Sequence, residues 1–476
     1  MAAARERLER IGVSVPEIYL PGNGVEYRKW AVVACDQYSS EREYWEDVDR
    51  EVGAAPSTLR LIFPECYLED SDKEARVAKI QERMREYLAR GLLVSRGPAF
   101  VLVERSTPFE EHPRLGLMVA VDLERYQYGS DSKSLIRPTE GTIVERLPPR
   151  MAIRRGAPLE LPHIMILIDD PHATVIEPLY RRRRYFERAY DFDLMKNSGH
   201  MGGWFVREES DLEVVAVALE ALADPKVFRR KYGVDDVLLF AVGDGNHSLA
   251  TAKAIWEETK ASYAGRADAE TALAFHPARY ALVELVNLYD EGLPFHPIHR
   301  VLFNIDSQDF LRELEGAGAE IRYMPDAAQA FAEVDAASRG GGPEKERGAS
   351  NSSDATNSAP SHLELAHRFA FVTEHRAGVV SFRNPAARLA VATIQGQIDA
   401  YRTAHPEVGI DYIHGTASTE ALGKKRGNIG LYLPPVDKSS FFSVVIRDGV
   451  MPRKTFSMGE APEKRFYIEA RRIVRE

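Results

Sequence analysis

Residues 235–256 read DDVLLFAVGDGNHSLATAKAIW, and the fold is decided there. The apolar run 237–242 has the length of a buried strand and stops at Gly243, Asp244 and Gly245. Beyond it, Leu249, Ala252 and Ile255 recur at helical spacing. Strand, tight turn and helix follow in that order. A glycine-containing turn that feeds a helix presents unbonded N–H groups and the positive end of the helix dipole, a natural seat for phosphate. In that setting Asp244 is a metal ligand or the acceptor of a hydroxyl proton, and His247 is a phosphate contact or proton shuttle. Gly243, Gly245, Asn246 and Ser248 would surround the anion. The same letters are also ordinary turn chemistry, with Asn246 or Ser248 capping the helix, so the turn alone leaves both readings open.

Working outward, strands and helices alternate. The run 30–34 reads as a strand, 41–52 as a helix, and 71–90 as a longer helix with Val77, Ile80, Met84 and Leu88 on one face. Runs 99–104 and 115–122 have hairpin spacing. Downstream, 310–314 and 328–337 read as helices and 370–372 and 379–382 as strands. Between them lies SRGGGPEKERGASNSSDATNSAPS, residues 338–361, a composition that cannot repay the entropy of ordering and that reads as a disordered insertion. The expected architecture is mixed α+β. It comprises an N-terminal core, 1–305, carrying the turn, and a C-terminal α+β region, 306–476, interrupted by the insertion.

Composition bounds the function. The 476 residues are 44% hydrophobic and 28% charged, which places the bulk of the chain among globular proteins. With 62 Lys and Arg against 72 Asp and Glu, the formal net charge of -10 gives no global case for wrapping nucleic acid. No apolar run approaches the roughly 18 to 20 residues of a spanning helix, and the charged N-terminus lacks a signal-peptide core. Cys35 and Cys66 have no CxxC spacing, so neither a disulfide framework nor a structural zinc site is indicated. A cytoplasmic location is expected, without nucleic-acid or membrane partners. His163, His172, His296 and His299 lack metal-site spacing. Asp169 and Asp170 close a strand and read equally as magnesium ligands or as a turn. GxSxG is absent.

Several stretches together resemble a bacterial family, domain of unknown function 1015. They are Gly243 to Ser248, Lys29 to Gln37, Pro277 to Asn287, Ile136 to Thr142 and Asp448 to Phe456, so the resemblance spans nearly the whole chain. The turn of that family, more often Asp-Gly-His-His-Arg, is in turn similar to the phosphate-binding turn of the ParB and sulfiredoxin superfamily. That superfamily binds nucleotides and includes free-serine kinases that use an acidic base. The resemblance implies a ParB/sulfiredoxin-like nucleotide-binding core, ATP or ADP with Mg2+ held by Asp244, and phosphate at Gly245, Asn246 and His247. This chain departs from the pattern with Asn246 in place of His and Ser248 in place of Arg, which removes a bidentate phosphate donor.

Substitutes for that arginine are sought in 137–155, where Arg137, Arg146, Arg150, Arg154 and Arg155 lie among Pro and Gly in an expected loop. Glu140 within it is the expected general base. Near the C-terminus, Arg453 and Lys454 follow an expected hairpin turn at Asp448 and Gly449 and are candidates to clamp phosphate oxygens. The leading expectation is a nucleotide-dependent phosphotransferase, a kinase acting on a small hydroxyl-bearing metabolite such as an amino or hydroxy acid. The alternative is a non-catalytic regulatory module that binds a nucleotide or another small anionic, phosphorylated metabolite.

Overall fold

The decisive run becomes the strand Phe240–Asp244 of a nine-stranded mixed sheet in a computed structural model that describes residues 2–129, 131–340 and 366–475. Along the sheet the order is Ile136–Pro138, Phe240–Asp244, Met165–Ile168, Tyr280–Asn287, Arg114–Asp122, Phe100–Ser106, His200–Val206, Arg188–Asp193, with Val13–Ser14 paired to Arg114–Asp122. Two neighbouring pairs are parallel, Ile136–Pro138 with Phe240–Asp244 and Met165–Ile168 with Tyr280–Asn287; the rest are antiparallel.

Both faces of this sheet are covered, as period-2 alternation requires when every residue of a strand is buried, as in Arg114–Asp122. On Arg114–Asp122, Leu117, Val119 and Val121 enter one core, and Met118 enters the other. The first core is closed by Ala2–Arg10, Glu209–Leu222 and Asn246–Ser262, through Leu8, Leu212 and Leu249. The second is closed by Arg42–Val52 and Lys73–Ala89, through Trp45 and Met84, and by Phe466, Tyr467 and Ile468 of the last segment of the chain.

The chain divides into two compact units. The first holds the residues up to Pro294, Val445–Val450 and the segment from Met458 onward; the second holds Phe295–Val444 and Met451–Ser457. In the first, Arg471–Arg472 pairs with Leu159–Glu160, which ties the C-terminal segment to that unit. The second is built on a six-stranded antiparallel sheet ordered Ala319–Met324, Ala377–Arg383, Ala366–Val372, Asn428–Tyr432, His299–Phe303, Gly409–Ile413. His299–Phe303, placed by the sequence reading in the N-terminal core, is therefore an inner strand of the second sheet. Of the expected insertion, 338–340 closes the helix Ala327–Gly340, and 341–361 lies outside the described residues.

Three local expectations are corrected. The run 30–34 is not a sheet strand. It follows the short helix Tyr27–Trp30 and is held by the Val32 N–H on Thr58 Oγ1 (3.3 Å) and the Ala34 N–H on the Arg465 carbonyl (2.8 Å). Asp448 and Gly449 end the helix Lys438–Asp448 rather than turning a hairpin; Gly449 at φ 77° takes the left-handed conformation common to helix ends and hairpin turns. The expected arginine loop is half helical, because Pro148 and Pro149 sit in the first turn of Leu147–Arg154, where a missing N–H costs nothing.

Candidate functional site

The turn sits at the carboxyl ends of the adjacent parallel strands Ile136–Pro138 and Phe240–Asp244, where open sheets place their ligands. Gly245 has φ 78° and precedes the helix Asn246–Ser262, whose Leu249 N–H bonds back to the Gly245 carbonyl. The amides of residues 246–248 precede that bond and point out of the helix end. An added Cβ on Gly245 would lie 3.0 Å from the Ile164 Cα. Gly245→Ala is therefore expected to lower stability by ~1–3 kcal/mol through left-handed strain and backbone contact, read as a shift of the urea midpoint without a change in slope.

Loop 139–143 is braced against the turn. The Thr139 N–H donates to Asn246 Oδ1 (3.2 Å), Thr139 Oγ1 donates to the Val242 carbonyl (2.6 Å), and the Ile143 N–H donates to His247 Nε2 (3.3 Å). Glu140, the expected base, thus lies in a loop adjoining the turn. Asn246 is buried and engaged in this bracing, and the accepting Nε2 of His247 is likewise taken up, so the expected proton-shuttle role of His247 has no lone pair to run on at that nitrogen.

Around the turn the structure gathers groups the sequence did not single out. Lys464 Nζ lies 3.1 Å from Asp244 Oδ2, and the Gly245 N–H donates to Asp244 Oδ1 at 2.9 Å. Burial of the Asp244 carboxyl works to raise its pKa, but Lys464 and the neighbouring His163 outweigh this and hold it below the usual carboxylate value. Asp244 is therefore ionised at neutral pH. His163 Nε2 is 2.8 Å from Ser248 Oγ and 3.8 Å from Asp36 Oδ2, and its Nδ1 is 2.7 Å from the Tyr467 hydroxyl. That hydroxyl also accepts from the Cys35 N–H (3.1 Å), so His163 is tied through one ring nitrogen to Tyr467 and through the other to Ser248, the donor in each bond depending on the ring tautomer.

The expected arginines mostly have other partners. Arg137 is buried and donates to the Ser134 and Asp236 carbonyls (2.8 Å each), which fixes the strand rather than an anion. Arg154 pairs with Glu160 at 2.5 Å, and Arg155 pairs with Glu258 at 2.7 Å. Arg146 is exposed. Arg150 pairs with Glu65 on the wall of a cavity of about 140 Å³ that also reaches Ser248, His163, Tyr467 and Cys35. Arg453 and Lys454 belong to the second unit, where the Arg453 carbonyl accepts from Arg300 (3.2 Å) and Lys454 has φ 55°. Asp169 is engaged by Lys231, Tyr232 and Tyr289, and Asp170 accepts from the Thr174 and Val175 N–H groups, so that pair is structural.

A larger cavity of about 960 Å³ lies between Arg42–Val52 and Lys73–Ala89. Its charges are largely paired with one another, Arg60 with Asp49, Arg76 with Asp72, and Arg83 and Arg90 with Glu86. Among its lining residues no acid, base and helix end converge. Magnesium requires oxygen ligands, and the carboxylates of Asp244 and Asp36 could hold it, each Asp244 oxygen keeping a second lone pair beyond the bond described.

Among known proteins, a family model described as a protein of unknown function, DUF1015, matches residues 19–401. No curated protein matches. A solved conserved hypothetical protein from Pyrococcus furiosus is similar at 11% identity and TM-score 0.35, over 75% of this chain and 95% of that one. A free serine kinase in complex with AMP is similar at 10% identity and TM-score 0.35, over 75% of this chain and 91% of that one. At TM-scores this low the likeness carries no activity across. Among the described residues, no helix is long and apolar enough to cross a membrane.

Proposed function

The chain belongs to the DUF1015 family, and for this member we propose nucleotide-dependent phosphoryl transfer to a small hydroxyl-bearing metabolite at the 243–248 turn. The family description assigns no reaction, so the reading rests on one observation: a helix N-terminus, the Lys464 ammonium and the ionised Asp244 meet beside a histidine hydrogen-bonded to Ser248. The amides of 246–248 bind phosphate oxygens, and Lys464 replaces the arginine missing from the turn as the point charge on them. Asp244 and Asp36 would hold magnesium, which supplies charge neutralisation to the transferred phosphoryl group. His163, held by the Tyr467 hydroxyl, orients Ser248. The acceptor hydroxyl gives its proton to Glu140 in the braced loop. Most of the rate comes from positioning and electrostatics, as the chemistry of phosphoryl transfer demands.

The engagement of Asn246 in bracing the loop supports the second reading, a module that binds a phosphorylated ligand without turnover. Incubation of the full chain with ATP, magnesium and a panel of hydroxyl metabolites separates the two. Formation of ADP and a new phosphoryl ester, lost in Asp244→Ala, supports transfer. Binding of ATP with no product for any acceptor leaves only the regulatory module.

A further inference from the structure

The cavity beside Ser248 has about 140 Å³, well under the roughly 300–1,000 Å³ of a pocket for a drug-sized ligand. Its size matches a short-chain molecule rather than a nucleotide. Its charged lining residues are two acids and two arginines, and each is already bonded within a pair, Arg150 to Glu65 and Arg154 to Glu160. The cavity therefore offers no net charge to a ligand. A ligand carboxylate entering it would displace an existing partner of an arginine and stand beside Glu65, and a lone ammonium would do the same to the acids.

Most of the remaining wall is aliphatic or aromatic. Leu61, Phe63, Met84, Ile153 and Leu159 face the space, and Leu61, Phe63, Met84 and Leu159 are otherwise shielded from solvent in the second core of the sheet. Thr251 lines it as well, but its hydroxyl is turned back to the His247 carbonyl (2.7 Å). The polar end is Ser248, whose hydroxyl is hydrogen-bonded to His163 (2.8 Å).

We propose that this cavity is the acceptor subsite and that it takes an uncharged, short, branched aliphatic alcohol, with its hydroxyl at Ser248 and its hydrocarbon body against Phe63, Met84 and Leu159. The proposal rests on the phosphotransfer reading of the same turn, which it narrows from hydroxyl metabolites in general to aliphatic ones. Apolar walls reward the hydrocarbon body, and a charged acceptor leaves a desolvated group without a partner.

Binding is measured without nucleotide, so that it stands or falls apart from turnover. Isoamyl alcohol, serine and lactate are titrated into the full chain carrying methyl-labelled methionine. The expected result is a saturable shift of the Met84 methyl signal with isoamyl alcohol, at least tenfold weaker or absent with serine and lactate. Met84→Trp, which fills the cavity, is expected to abolish alcohol binding while an unchanged urea midpoint and ATP affinity report an intact fold and turn. Where the variant does not fold, competition by a longer, bulkier alcohol that exceeds the cavity replaces it, and that alcohol is expected not to compete. No shift with isoamyl alcohol, or a stronger response to serine or lactate, overturns the proposal, and either can occur with phosphotransfer intact. Alcohol binding with no transfer to any acceptor overturns the phosphotransfer reading instead.

Discussion

Lys464→Met is expected to weaken ATP binding about 10- to 100-fold, the loss that follows when a hydrogen bond to a charged group worth about 1.5–3 kcal/mol is removed. Lys464 is the cation nearest the turn carboxylate, at 3.1 Å from Asp244, and its side chain is 13% exposed, so water screens it little. The same change strips Asp244 of the charge that holds its pKa down. Burial then acts on that carboxyl against only His163 and the Gly245 N–H, and its titration moves up. Lys464→Arg keeps the charge and is expected to retain most of the affinity. A Met variant that binds ATP as the native protein does would remove Lys464 from the phosphate site. Calorimetric titration of both variants at one ionic strength reads the difference.

Arg465→Met is expected to cost about 3–5 kcal/mol of stability at pH 7, the range for removing one partner from a buried ion pair. Arg465 bonds Glu284 at 2.8 Å and also Glu469, and both acids are fully buried; the Tyr190 hydroxyl donates to Glu469, and Arg114 approaches Glu284 at 3.5 Å. Glu284 sits in the central strand Tyr280–Asn287, so its charge cannot relax toward solvent. The pH dependence identifies the cause. In the native protein burial raises the Glu284 pKa, but Arg114 and Arg465 outweigh it and lower the value. This contribution to stability is present above the unfolded glutamate value and is lost as pH falls through the lowered one. In the variant Glu284 keeps Arg114 but loses Arg465, so burial is opposed by less charge and its pKa moves up. Its ionised form then costs more in the variant than in the native protein, so the gap between the two narrows on going from pH 7 to about pH 4.5. A gap that stays constant over that window would point to lost packing rather than lost pairing. Because Lys464 and Arg465 are consecutive, this network also sets where the site cation stands.

Much of the fold is legible from local chemistry. The switch of period at Gly243 to Gly245 yields Phe240–Asp244 and Asn246–Ser262, and the paired runs near 100 and 118 yield the hairpin Phe100–Ser106 and Arg114–Asp122. Where the reading departs from the structure, the same residues serve two geometries. Gly449 suits a helix end as well as a hairpin, and Pro148 and Pro149 suit a first helical turn as well as a loop. The apolar run at 30–34 is extended without joining a sheet because side chains and the C-terminal segment satisfy its backbone.

The site is legible only on its near side. Asp244, Gly245 and Ser248 stand in one stretch of chain, and the structure keeps them together. Lys464 reaches Asp244 across 220 residues, and Tyr467 reaches His163 across 304, separations that no local pattern encodes. Asp36 had a weak signal in the stretch Lys29 to Gln37. His163 was set aside for lacking metal-ligand spacing, although its place before the strand Met165–Ile168, antiparallel to Phe240–Asp244, puts it at the turn. The arginines of 137–155 form a local excess of positive charge in sequence, but in space most are matched to acids or carbonyls.

The central claim is that the helix end at residues 246–248 holds the phosphates of a nucleotide. Amide hydrogen exchange of the full chain, compared with and without ATP and magnesium, tests it most directly. The account predicts saturable protection confined to 243–249, loop 139–143 and the stretch around Lys464, with the protection lost in Lys464→Met. No saturable protection, or protection centred on the cavity between Arg42–Val52 and Lys73–Ala89 with the turn unchanged, would contradict it.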